Sequence, residues 1–305
     1  MMERLEGLVA APFTPMHPDG TLNLDAVEPY AAMLARNGVI GAFVGGTTGE
    51  SLSLASEERM LLTEAWTDAA PDGLRVIVHA GAESLEEARM LAGHAAACGA
   101  FGVASMPPTF FKPAGVDGLV AWCAAVAEAA DGRPFYYYHI PSLTGVHAAM
   151  AEFLPVAAER IANLAGVKYT GEDLNDFSLT LDACGDRFDV LYGRDETLLA
   201  GLALGARGAV GSTYNFAAPL YLQLMEALAA GKLDTARDLQ RTSRQMIAAL
   251  RDVSDSFLPA AKAVMAMVGV DCGSVRPPLP ALAPEQVEAV RESLARLGFE
   301  EFRNR

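Results

Sequence analysis

Short apolar runs rich in Val, Ile, Phe and Tyr recur along the chain, at residues 7–13, 40–45, 75–80, 102–106, 134–140, 166–170, 190–192 and 209–212. Each is followed by a longer stretch whose apolar positions return every three or four residues, the period of a helix with one buried face. Helix-start signals mark the joins: Ser84-Leu85-Glu86-Glu87 has the form of a capping box, and Ser56-Glu57-Glu58 places acids at a helix N-terminus. Eight strand–helix units in succession, without a break in composition, predict an α/β fold of the (β/α)8 barrel type. A doubly wound open sheet is the alternative, and the even spacing of eight units favours the barrel. From 217 to 269 the pattern is almost wholly helical, so residues 1–216 are expected to form the barrel. Residues 217–305 are expected to be a helical extension packed on it in one structural unit, a natural place for a subunit interface. Pro277-Pro278 reads as a loop before a last helix from about Pro284.

Composition narrows the function. Of 305 residues 51% are apolar, enough for a large core, and 23 basic against 38 acidic side chains give a net charge of −15. That balance opposes binding to nucleic acid or to an anionic membrane, each of which needs a basic patch. Cys98, Cys123, Cys184 and Cys272 lie far apart without paired spacing and read as apolar fillers in a reducing, cytoplasmic compartment. The N-terminal segment carries acids and no long apolar core, unlike a signal peptide, and no stretch reaches membrane-spanning length free of charge.

In a (β/α)8 barrel, reactive groups sit where strands end and loops begin. Read there, the chain offers Gly45-Gly46-Thr47-Thr48-Gly49-Glu50, Tyr138-His139-Ile140-Pro141, Lys168 with Thr170, Gly193-Arg194-Asp195-Glu196, and Gly211-Ser212-Thr213-Tyr214-Asn215. Lys168 closes the apolar run Leu164-Ala165-Gly166-Val167. Burial there disfavours the ammonium form and makes the amine available as an imine-forming nucleophile; taken alone it reads more readily as a lysine snorkelling from a strand end, and the residues around it reverse that balance. The glycine-rich turn has the makings of an anion cradle, with converging backbone N–H groups and two threonine hydroxyls. It lacks a P-loop lysine, and no dinucleotide fingerprint occurs, so a carboxylate is the better guest. Strand alternation puts Tyr136 and Tyr138 on one face and Tyr137 on the other. Adjacent Asp195 and Glu196 poorly suit a retaining glycosidase; they suit acceptors for polyol hydroxyls, with a helix N-cap as the plainer role for Asp195. The histidines His17, His79, His94, His139 and His147 show no metal-ligand spacing, and no metal or cofactor is assigned.

Taken together, Tyr138-His139-Ile140-Pro141-Ser142-Leu143-Thr144-Gly145-Val146, Gly166-Val167-Lys168-Tyr169-Thr170, Gly193-Arg194-Asp195-Glu196 and Gly208-Ala209-Val210-Gly211-Ser212-Thr213-Tyr214-Asn215 resemble the dihydrodipicolinate synthase and N-acetylneuraminate lyase family of pyruvate-dependent class I aldolases. The likeness runs from Gly7 to about Leu279. It implies that Lys168 is the Schiff-base lysine and Tyr138 the proton carrier. Thr47 and Thr48 would hold the pyruvate carboxylate, Thr48 also linking to the tyrosine, and Thr170, Gly193, Asp195, Glu196 and Ser212 would hold a sugar. It further implies a small keto-acid sugar as substrate, no added cofactor, and a homotetramer. Where the synthases carry a carboxylate-binding arginine this chain has Leu143, and where they carry a tyrosine pair it has Phe110 and Phe111, so the sialic-acid branch is favoured. Ser51 and Gly171-Glu172 depart from the pattern without touching the imine machinery. Aldolases of 2-keto-3-deoxy sugar acids, the synthase itself, a silent pyruvate-binding barrel and a phosphosugar barrel enzyme are the competing functions.

Overall fold

The computed structural model describes residues 4–254 and 256–305. Eight parallel strands, β1 (Gly7–Ala10), β2 (Gly41–Val44), β3 (Arg75–His79), β4 (Gly102–Ser105), β5 (Phe135–His139), β6 (Leu164–Tyr169), β7 (Asp189–Tyr192) and β8 (Gly208–Gly211), close in sequence order into a barrel. Closure is made by β8 on β1, in register from Gly7 opposite Gly208 to Ala10 opposite Gly211. The open-sheet alternative is thereby excluded.

The first five strands are shorter than their apolar runs. Pro12 and Pro134 lack the N–H that a ladder needs, so β1 stops before the first and β5 begins after the second. β6 instead starts two residues earlier than predicted, at Leu164, because the register of β5 on β6 shifts between Phe135 and Tyr136. Alternation divides the side chains cleanly. Val9, Phe43, Ile77, Ala104, Tyr136, Tyr138, Leu191 and Val210 fill the barrel interior, while Tyr137, Val167, Tyr169 and Val190 face the helices.

Helices α1 (Val27–Arg36), α2 (Ser56–Ala69), α3 (Leu85–Ala97), α4 (Gly115–Ala129), α5 (Pro141–Thr144), α6 (Met150–Arg160), α7 (Leu174–Cys184) and α8 (Leu198–Leu204) surround the barrel. α9 (Tyr214–Ala229), α10 (Leu233–Arg251), α11 (Phe257–Met267) and α12 (Pro284–Arg296) follow β8. The capping box at Ser84 is half made: the Ser84 hydroxyl accepts from the Glu87 N–H, but the Glu87 carboxylate takes a hydrogen bond from Ser56 Oγ at 2.6 Å, tying α3 to the start of α2. Among the described residues no helix is long and apolar enough to cross a membrane.

Candidate active site

Tyr138 and Lys168 are register partners on β5 and β6, and both point into the barrel. The amine, only 4% exposed at the residue level, sits over two aromatic faces, with Nζ 4.0 Å from the Tyr138 ring centroid and 4.3 Å from that of Phe43. Aromatic faces attract a cationic amine through their ring quadrupoles and shield it from bulk solvent. Tyr138 is held edge-on to Phe43 and to His79. His79 stays neutral, because burial first and then Arg59 pull its pKa down to about 3.

The loop after β2 supplies the hydroxyls. Thr47 Oγ1 lies 3.1 Å from the Tyr138 hydroxyl, and Thr48 Oγ1 lies 2.7 Å from Ser212 Oγ. Thr47, and not Thr48 as the family resemblance implied, is therefore the threonine joined to the tyrosine; consecutive residues on a tight turn diverge, and Thr48 is turned toward β8. The turn bends at Gly45, whose φ of 67° is left-handed and whose carbonyl oxygen is bound by His79 Nδ1 at 2.9 Å. The N–H groups of Thr47 and Thr48 have no backbone partner among the described residues, as an anion cradle requires.

On the opposite wall, Asp195 opens a 3-10 turn after β7. Its Oδ2 accepts from the Thr213 N–H at 2.8 Å and from Thr213 Oγ1 at 2.6 Å, so the carboxylate caps the start of α9 and not its own helix. Burial pushes this carboxyl up to about 6, against the pull of the Thr213 hydrogen bonds. Gly211 allows the approach, since a Cβ there would stand 2.0 Å from Asp195 Oδ1. Glu196 is ion-paired with Arg194, 3.1 Å away, and with Arg251, 3.7 Å away, while Arg194 also bonds Glu172 at 2.6 Å. Thr170 Oγ1 is buried without a hydrogen-bond partner among the described residues.

All nine residues singled out from the sequence, Thr47, Thr48, Tyr138, Lys168, Thr170, Gly193, Asp195, Glu196 and Ser212, line one cavity of about 590 Å³ at the C-terminal mouth of the barrel. The sequence model of the dihydrodipicolinate synthetase family matches residues 4–297. The chain belongs to the dihydrodipicolinate synthetase family. It is 45% identical over 247 residues to N-acetylneuraminate lyase B of Xenopus laevis, covering 80% of this chain and 92% of that one. Against the N-acetylneuraminate lyase of Homo sapiens it is 39% identical over 304 residues, 98% and 95% of the two chains. The structure of Proteus mirabilis N-acetylneuraminate lyase superposes with a TM-score of 0.94 at 38% identity, over 97% of this chain and all of that one.

Two features of this family member were not read from the sequence. The far end of the cavity is closed by α10, α11 and the segments beside them, through Ile247, Arg251, Ser256, Phe257, Leu258 and Leu279. The cradle is also latched from behind. Glu50, itself at a left-handed φ of 58°, is ion-paired with Lys262 of α11 at 3.0 Å, both side chains 1% exposed, and its other oxygen accepts the Arg276 N–H at 2.8 Å. Arg276 in turn forks onto Glu58 of α2. Lys262 is the single charge in the otherwise apolar run 257–267, the same signal that marked Lys168.

Proposed function

We propose that this chain is a class I aldolase that reversibly cleaves N-acetylneuraminate to N-acetylmannosamine and pyruvate, through an imine on Lys168. The observation that carries the reading is the amine of Lys168 stacked against Tyr138, whose hydroxyl is joined to Thr47 of the cradle, in a cavity with hydroxyl and carboxylate groups on its far wall. The neighbouring N-acetylneuraminate lyases in sequence and structure support it.

In this mechanism the Lys168 amine attacks the C2 ketone of the open-chain sugar acid and water leaves. The protonated imine is an electron sink, which is the service a metal or pyridoxal ring renders in other enzymes. Tyr138 takes the C4 hydroxyl proton, the C3–C4 bond breaks, and its electron pair enters the imine as an enamine of pyruvate. Protonation at C3 and hydrolysis then release pyruvate and free the amine. The Thr47 and Thr48 hydroxyls and N–H groups hold the carboxylate of the pyruvate part, a local donor set within a protein of net charge −15. The unpartnered Thr170 hydroxyl and the Asp195, Glu196, Gly193 and Ser212 wall hold the polyol. Leu143 at the rim offers no counter-charge to a second carboxylate, which favours the lyase over the synthase.

Residues 217–305 act with residues 1–216 as one unit in this reading, since α10 and α11 complete the sugar end of the cavity. Assembly as a homotetramer and a cytoplasmic setting complete the proposal; the four free cysteines support a reducing compartment.

Borohydride reduction in the presence of N-acetylneuraminate, with pyruvate and ligand-free controls, followed by peptide mass mapping, tests the proposal. A pyruvyl adduct on Lys168 from the sialic acid sample is the expected result, because it requires imine formation and carbon–carbon cleavage together. An adduct from pyruvate alone would move the assignment to an aldolase of another sugar acid, and no adduct would leave a silent pyruvate-binding barrel.

A further inference from the structure

Away from the cavity, α2 and α3 lie side by side on the outside of the barrel, running in the same direction because each returns the chain antiparallel to its strand. Three unlike metal-binding side chains meet between them. His94 Nε2 is 3.2 Å from Glu64 Oε1 and 3.4 Å from Cys98 Sγ, and the three donor atoms all lie within 4.8 Å of one another. His94 and Cys98 are four residues apart on α3 and its C-terminal cap, so they project from one face. The histidine spacing by itself does not show this pair, because the second donor at i, i+4 is a cysteine.

We propose that Glu64, His94 and Cys98 form a binding site for a thiophilic divalent cation of the zinc class. For tetrahedral zinc, bonds of about 2.0 Å to nitrogen or oxygen and about 2.3 Å to sulfur put neighbouring donors roughly 3.3–3.6 Å apart. The two distances from His94 Nε2 are of that size without rearrangement. Imidazole, thiolate and carboxylate on one ion is a zinc-class donor set, whereas magnesium and calcium take oxygen. Asp68 lies one turn beyond Glu64 on α2, and it or water would complete the four. None of the three ligands lines the aldolase cavity, so the ion ties α2 to α3 and takes no part in the carbonyl chemistry.

An ordinary Glu64–His94 ion pair would need no sulfur, and this separates the two explanations. Titration of the full-length protein with cobalt(II) chloride under reducing conditions is expected to give a thiolate-to-metal charge-transfer band that saturates at one equivalent and is displaced by zinc. Cys98→Ser is expected to abolish the band, since Cys123, Cys184 and Cys272 are buried. Glu64→Gln is expected to keep it while weakening binding by about tenfold or more, a loss at least as large as that from removing a metal ligand's own hydrogen-bond partner. No band in the wild-type protein, a band that survives Cys98→Ser, or zinc affinity unchanged in Glu64→Gln would each overturn the proposal.

Discussion

In the proposed mechanism, single residues matter first: a lysine amine over two aromatic rings, and a buried carboxyl whose charge it feels. Lys168→Met should remove turnover and the borohydride adduct while leaving circular dichroism unchanged, because Met fills the same slot between Phe43 and Tyr138. Tyr138→Phe should still form the imine but cleave about 10²- to 10⁴-fold more slowly, the usual weight of a positioned proton carrier; single-turnover measurements separate the two steps. For Asp195 the sign of the pH effect follows from its raised pKa. Between about pH 4 and 6 the folded chain keeps a proton that the unfolded chain has lost, so stability falls as pH rises through that window. Asp195→Asn should abolish that fall, worth roughly 2 kcal/mol between pH 4.5 and 7 at about 1.4 kcal/mol per pH unit, as read by urea melts at those two values. At this scale much was legible: Lys168, Tyr138 and the Thr-Thr turn stand out because each is an expensive or conformationally special residue at a strand end. The divergence of Thr47 from Thr48 was not legible, since it depends on a turn angle and not on residue type.

Elements position those residues, and the latch from α11 to the cradle is where the sequence was least transparent. The alternation of strands and helices could be read because every strand is buried on both faces and every helix on one. The Glu50–Lys262 pair spans 212 residues, and no local pattern predicts a contact of that kind. Lys262→Met leaves the Glu50 carboxylate buried and unpaired and should lower stability by about 3–5 kcal/mol. It should also raise the KM for pyruvate in the condensation direction, because Glu50 follows directly on the Thr47-Thr48-Gly49 turn. Glu50→Gln combined with Lys262→Met should recover part of the stability, and a double-mutant cycle measures how much. If the single variant melts as the wild type does, the pair is not what holds the loop.

For the molecule as a whole, the loop after β4 presents Phe110 and Phe111 at 78% and 82% exposure, packed edge to face with each other. Glu83 fixes this presentation by accepting the N–H groups of Thr109 and Phe110. Large aromatics held out in a fixed pose mark a contact surface, and the homotetramer of the proposed function supplies its occupant, a second copy of this chain. Phe110→Asp with Phe111→Asp should therefore shift sedimentation velocity toward a smaller species; an unchanged mass would place assembly on other faces. The closed barrel has a further consequence for how the protein comes into being. β1 cannot complete its pairing until β8 exists, and the cradle is not set until Lys262 has been added. On the ribosome, Lys168 is thus made about ninety residues before Lys262, the residue that latches the cradle. Until α11 has been made and packed against it, the turn that carries Thr47 and Thr48 lacks the buried charge that holds it from behind.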